Sequence, residues 1–121
     1  NYYLAQMLNS TDAAEKETAN KVGIFFPNQQ TTGAHINISG GAVVKYSKRK
    51  ENAIKLLEFL SKEFAQQTFT EMNYEYPVNN KIEMCKTLRS FGSFKADTLD
   101  LSLLGKYNTE AVKIFDRSGW Y

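Results

Sequence analysis

At 121 residues, 42% hydrophobic and 13% aromatic, the chain holds enough apolar material for one modest core, and its 2 prolines and 7 glycines place it outside the disordered and fibrous classes. The 15 basic and 13 acidic residues are interspersed, so the net charge of +2 points neither to nucleic acid nor to an anionic membrane. A single cysteine, Cys85, excludes an internal disulfide and a cysteine-built zinc cluster, and no apolar run is long enough to span a bilayer.

From the N-terminus, Tyr3 to Leu8 places Leu4, Met7 and Leu8 at helical spacing, and Ser10, Thr11 and Asp12 offer a cap for a second, polar helix through Asn20. Val22 to Phe26 is a compact apolar run stopped by Pro27, read as a buried strand entering the loop Asn28 to Gly33. His35 to Ser39 alternates, with Ile36 and Ile38 on one face; after Gly40 and Gly41, Ala42 to Tyr46 reads as a further strand.

The strongest periodicity follows. Between Glu51 and Leu60 the residues Ala53, Ile54, Leu56, Leu57 and Leu60 form one apolar stripe, with Lys55 and Glu58 turned away. Full burial of each larger side chain is worth about 1.5–3 kcal/mol, so the stripe calls for a partner surface. Ser61 is expected to cap a second helix, with Glu63 in its first turn and Phe64, Ala65, Phe69 and Met72 on its apolar face. Tyr74 to Val78 is expected to be extended because Tyr76 precedes Pro77. Residues 79–95 carry no clear pattern. A last helix is expected from Asn108 to Asp116, with Ala111, Val112 and Phe115 inward, before Gly119, Trp120 and Tyr121.

The residues with the most chemical potential are the adjacent tyrosines Tyr2 and Tyr3. A phenol has a pKa of about 10, yet a bound cation favours its anionic oxygen and expels the proton. Neighbouring side chains diverge on regular helices and strands, so two adjacent tyrosines can share one metal only at an irregular turn or a helix start, where the helix dipole also favours phenolate. On chemistry alone such a pair is usually a packing or surface feature, and no cluster of further ligands accompanies it. Tyr74 and Tyr76 compete on geometry, since residues two apart in an extended segment face the same way.

Several longer runs resemble a known family. They are His35-Ile-Asn-Ile-Ser-Gly-Gly-Ala-Val-Val, Glu51-Asn-Ala-Ile-Lys-Leu-Leu-Glu-Phe-Leu-Ser, Glu63-Phe-Ala-Gln, Asn73-Tyr-Glu-Tyr-Pro-Val-Asn and Phe94-Lys-Ala-Asp-Thr-Leu. Together, and in this order, they resemble the C-terminal part of the ferric-iron-binding periplasmic proteins, the solute receptors of bacterial iron ABC importers; residues 79–93 match least. The resemblance implies an α/β fragment of a two-lobe periplasmic-binding-protein-like fold, with iron held between the lobes. Residues 1–34 would end the second lobe, 35–46 would form crossing strands at the hinge, and 47–121 would supply helices packing mainly on the first lobe, so the chain is not expected to be an independent domain. An export signal would then lie upstream of Asn1.

By the same resemblance Tyr2 and Tyr3 occupy the family's iron-ligand pair and Asn1 the position between that pair and the family's asparagine. The implied function is a non-enzymatic ferric-iron receptor that hands Fe3+ to an ABC permease, with a synergistic anion as a further partner; a receptor of the same fold for a polyamine or organic anion is the alternative. Tyr74 and Tyr76 then become core and cleft-wall packing, and His35 a hydrogen-bonded residue at the hinge entry. Ser39-Gly40-Gly41 is read as a bend rather than an anion cradle, Cys85 as a reduced, partly buried thiol, and Asp97 and Asp100 as solvated or capping groups. A hydrolase using Ser39, His35 and an aspartate lacks a nucleophile elbow. Ferric iron takes about six ligand atoms, so tight binding by this piece alone is not expected, and the Ala53 to Leu60 stripe is expected to be covered by a separate N-terminal piece or a second copy.

Overall fold

The computed structural model describes residues 1–120; Tyr121, named above at the chain end, lies outside the described residues. The elements are helices: α1 (Tyr2–Leu8), α2 (Ala13–Ala19), α3 (Lys50–Leu60), α4 (Glu63–Thr68), a π-helix (Phe69–Asn73) continuing it, α5 (Lys86–Ser90) and α6 (Ser102–Ser118). None is long and apolar enough to cross a membrane. They fall into two compact units, one of residues 1–25 and 38–93, the other of residues 26–37 and 94–121.

The α/β expectation is corrected at the level of local structure. Val22 to Phe26, His35 to Ser39 and Ala42 to Tyr46 form no strand among the described residues, where the only β pairing is a parallel bridge between Ala34 and Ala96. The reason is physical. A strand is defined by the neighbour to which it hydrogen-bonds, and an apolar alternating pattern without such a neighbour leaves its N–H and C=O groups unpaired.

In the first unit, α1 packs on α2 and α5, and α3 on α4. Asp12 caps α2 as the sequence indicates, its carboxylate accepting the Ala14 N–H at 2.7 Å. Ser61 does not cap α4: its hydroxyl donates to the Leu57 carbonyl at 3.0 Å and so closes α3, while Lys62 adopts the extended N-cap conformation without a side-chain bond. A serine hydroxyl readily turns back to the carbonyl four residues earlier, which competes with capping the next helix. Leu88 and Thr70 are fully buried, and buried Gln66 bridges two segments by donating to the Leu60 carbonyl at 2.8 Å and accepting the Val78 N–H at 2.9 Å.

The α3 stripe is only partly covered. Ala53, Leu57 and Leu60 are half-buried, whereas Ile54 and Leu56 stay exposed. Part of the cover comes from Gly41, where a Cβ would lie 2.8 Å from the Leu57 methyl, so that a larger residue there would push the Leu57 side chain aside.

The second unit is a short loop stitched to the segment before α6. Gln29 accepts the Lys95 N–H at 2.7 Å and donates to the Lys95 carbonyl at 3.2 Å, Lys95 donates through its ammonium to the Thr31 carbonyl, and Phe26 stacks on Phe94 with centroids 4.3 Å apart. Gly33, at φ 98°, brings its backbone so close that a Cβ would lie 2.7 Å from the Lys95 carbonyl oxygen. Helix α6 begins at Ser102, six residues before the expected Asn108. The Asp100 carboxylate accepts the Ser102 N–H at 2.9 Å and so satisfies one of the donors that a first helical turn leaves unpaired; the helix continues through Gly105, a residue of low helix propensity. At the other end, Gly119 at φ 66° donates to the Asp116 carbonyl and Trp120 to the Phe115 carbonyl, with the Trp120 and Phe115 rings in contact, a Schellman stop with its apolar clasp.

Candidate metal centre

Tyr2 and Tyr3 occupy the first turn of α1, whose opening hydrogen bond runs from Ala5 N–H to the Asn1 carbonyl at 3.0 Å. Successive residues on a helix point about 100° apart, yet these two rings converge, with centroids 4.4 Å apart and planes tilted by 40°. Neither is submerged in a core: Tyr2 is 41% and Tyr3 69% exposed. A pair of phenols at the open end of a helix offers two hard oxygen donors to one cation.

Electrostatics favour the protonated form of Tyr2 in the absence of a cation. The Tyr3 phenol, through a hydrogen bond and charge repulsion, holds the Tyr2 phenol above its ordinary range; slight burial and the Glu75 carboxylate push the same way. Two phenolates side by side repel, and a positive ion between them reverses that repulsion.

Two neighbours of the pair are not apparent in the sequence pattern. The Asn1 side-chain amide donates to the Tyr74 carbonyl at 3.0 Å, and Glu75 follows in the same segment. Tyr74 itself closes the π-helix in the left-handed conformation, at φ 56° and ψ 38°. This corrects the expected extended run from Tyr74 to Val78 and removes the regular geometry that would turn Tyr74 and Tyr76 the same way. Tyr76 is half-buried, and burial raises its phenol pKa.

The remaining candidates take structural positions. His35 is exposed and joins none of the side-chain hydrogen bonds among the described residues. Ser39, Gly40 and Gly41 lie in an exposed loop. Cys85 is a half-buried free thiol whose N–H donates to Thr70. Asp97 accepts the Leu99 N–H at 3.0 Å, and Asp100 accepts from Ser102, which lowers its carboxyl pKa. Among the described residues no three His, Cys, Asp or Glu side chains form a metal-binding group.

No family model matches the chain. Among curated proteins it is similar to iron uptake protein A1 of Synechocystis, 45% identical over 119 residues, which is 98% of this chain and 33% of that protein. Among solved structures it is similar to the Trichodesmium protein IdiA (FutA) in complex with iron and citrate, at a TM-score of 0.94 and 48% identity, covering 100% of this chain and 38% of that one. It is also similar to the ferric binding protein of Campylobacter jejuni, at a TM-score of 0.93 and 40% identity with the same coverage. The chain thus spans about a third of the length of the curated relatives it matches.

Identity at this level along the whole chain reaches well beyond a shared fold and defines the class as that of iron-uptake and ferric-binding proteins. Within it, the chain corresponds to one segment of a ferric-iron-binding protein, the relationship that its own sequence runs suggest.

Proposed function

We propose that this chain is part of a ferric-iron receptor that binds Fe3+ outside the inner membrane, in the periplasm, and passes it to the permease of an ABC importer. One observation carries the reading: likeness along the entire chain to proteins named for iron uptake and ferric binding, one of them in complex with iron and citrate. Those relatives are named for iron uptake and ferric binding, so neither the hydrolase nor a receptor for a polyamine or organic anion is favoured.

Tyr2 and Tyr3 are the metal ligands in this proposal. Their rings already sit together and exposed, and two phenolates would supply two of about six oxygen or nitrogen atoms around the ion; further ligands and a synergistic anion complete the sphere. Residues 1–34 then belong to the second lobe, 35–46 carry the chain through the hinge, and 47–121 serve mainly the first lobe. Loading iron expels the phenol protons, so affinity falls with falling pH.

The test is optical. The full-length protein, given ferric citrate, is expected to show a visible phenolate-to-iron absorption band that disappears when Tyr2 and Tyr3 are both changed to Phe. A protein that stays colourless and iron-free under saturating ferric citrate rules the reading out.

A further inference from the structure

Two departures from regular backbone meet at the start of α1. The π-helix is a wide turn of a kind that collects at functional sites, and it ends in Tyr74 at φ 56°. A residue bearing a Cβ is disfavoured there and persists where its surroundings over-determine it. One such restraint is the 3.0 Å bond from the Asn1 amide to the Tyr74 carbonyl, joining positions 73 residues apart.

Asparagine before a helix usually turns its side-chain oxygen onto the first turn. Asn1 makes no such cap and directs its amide to Tyr74 instead. Helix α1 has seven residues, too few to hold its first turn by propensity alone, and the phenols it carries are exposed rather than wedged in a core. A tie immediately before them therefore governs how widely they swing.

We propose that Asn1 is a positioning residue for the phenol pair: by clasping the left-handed turn at Tyr74 it fixes where the Tyr2 and Tyr3 oxygens point and sets how slowly a bound ferric ion leaves. The proposal rests on the iron-receptor reading. Ligands held in place before the ion arrives lose less freedom on binding it, so releasing the clasp weakens the hold without removing a ligand atom.

The full-length protein is loaded with ferric iron, and transfer to a competing chelator is followed by stopped flow beside the absorption spectrum and the unfolding temperature. Asn1→Ala is expected to release iron about fivefold faster, the effect of one lost hydrogen bond, with a displaced absorption band and an unchanged unfolding temperature. Asn1→Gln, which keeps an amide donor on a longer arm, is expected to recover part of the slow release. Asn1→Ala with wild-type release and an undisplaced band overturns the proposal, as does faster release accompanied by an equivalent loss of thermal stability. A coloured wild type bleached by the double Phe change upholds the iron reading whatever Asn1 does; a colourless wild type removes both.

Discussion

The segment around Gln66, Thr70 and Leu88 and the helix α3 belong to the same compact unit, yet they are built on opposite terms. The first is closed on itself: Leu88 and Thr70 are sealed from solvent, Gln66 satisfies two backbone groups, and Thr70 receives the Cys85 N–H. The second has a strong apolar stripe and no buried residue. Helix α6, in the other unit, repeats that condition with Leu104, Tyr107, Val112, Ile114 and Phe115 exposed. The difference separates what this chain buries within itself from what it leaves open to solvent.

Substitution should expose that difference most sharply at Leu88. Leu88→Ala is expected to destabilise the full-length protein and the isolated 121-residue chain alike by about 2–5 kcal/mol, the range for an apolar side chain removed from a packed site, as read from urea unfolding. In the isolated 121-residue chain, Ile54→Ala, half open to solvent on α3, is expected to lower stability by less than about 1 kcal/mol. Equal losses at the two sites in that chain would mean that α3 is as well packed as the interior.

Gly33→Ala is the next largest test, because it forces a Cβ against the Lys95 carbonyl at a positive φ. A loss of about 1–3 kcal/mol is expected in thermal unfolding. Gln66→Ala leaves the Leu60 carbonyl and the Val78 N–H without their side-chain partner and is expected to cost about 1–3 kcal/mol by the same measurement; Gln66→Glu, which keeps the acceptor and loses the donor, separates the two bonds. On the open side of the comparison, Leu56→Glu in the isolated chain is expected to lower binding of an apolar fluorescent dye while hardly moving the unfolding midpoint.

The smallest effect is a titration. Since Tyr3 raises the Tyr2 pKa, tyrosinate absorbance in the metal-free protein should develop later with pH than in Tyr3→Phe, where Tyr2 moves back toward its ordinary value. The sign follows from the neutral form being preferred in the fold: this contribution is fully present at neutral pH and is lost only as pH rises past about 10. Coincident titration curves would show that the two phenols do not sense each other.

Features that depend on near neighbours in sequence were legible. Asp12 before α2, Glu63 in the first turn of α4, the α3 stripe and Gly119 after α6 all express chemistry contained within a few residues. Helix α5 was not, because five residues with one buried leucine are too few to show a period. The absent strands went wrong for another reason: alternation at Ile36 and Ile38 records which face is apolar, whereas pairing depends on a second segment. At the site, the tyrosines stood out as a pair, but the Asn1 to Tyr74 bond spans the sequence and requires a left-handed turn that no glycine announces.

Trp120, resting against Phe115 beyond the Schellman stop, is the chain's single indole. Emission excited at the red edge of protein absorbance therefore samples only the close of α6 in this polypeptide. Fluorescence changes in that channel would follow the fraying or docking of that one helix terminus, while metal loading at the phenols would be recorded separately, in the visible spectrum.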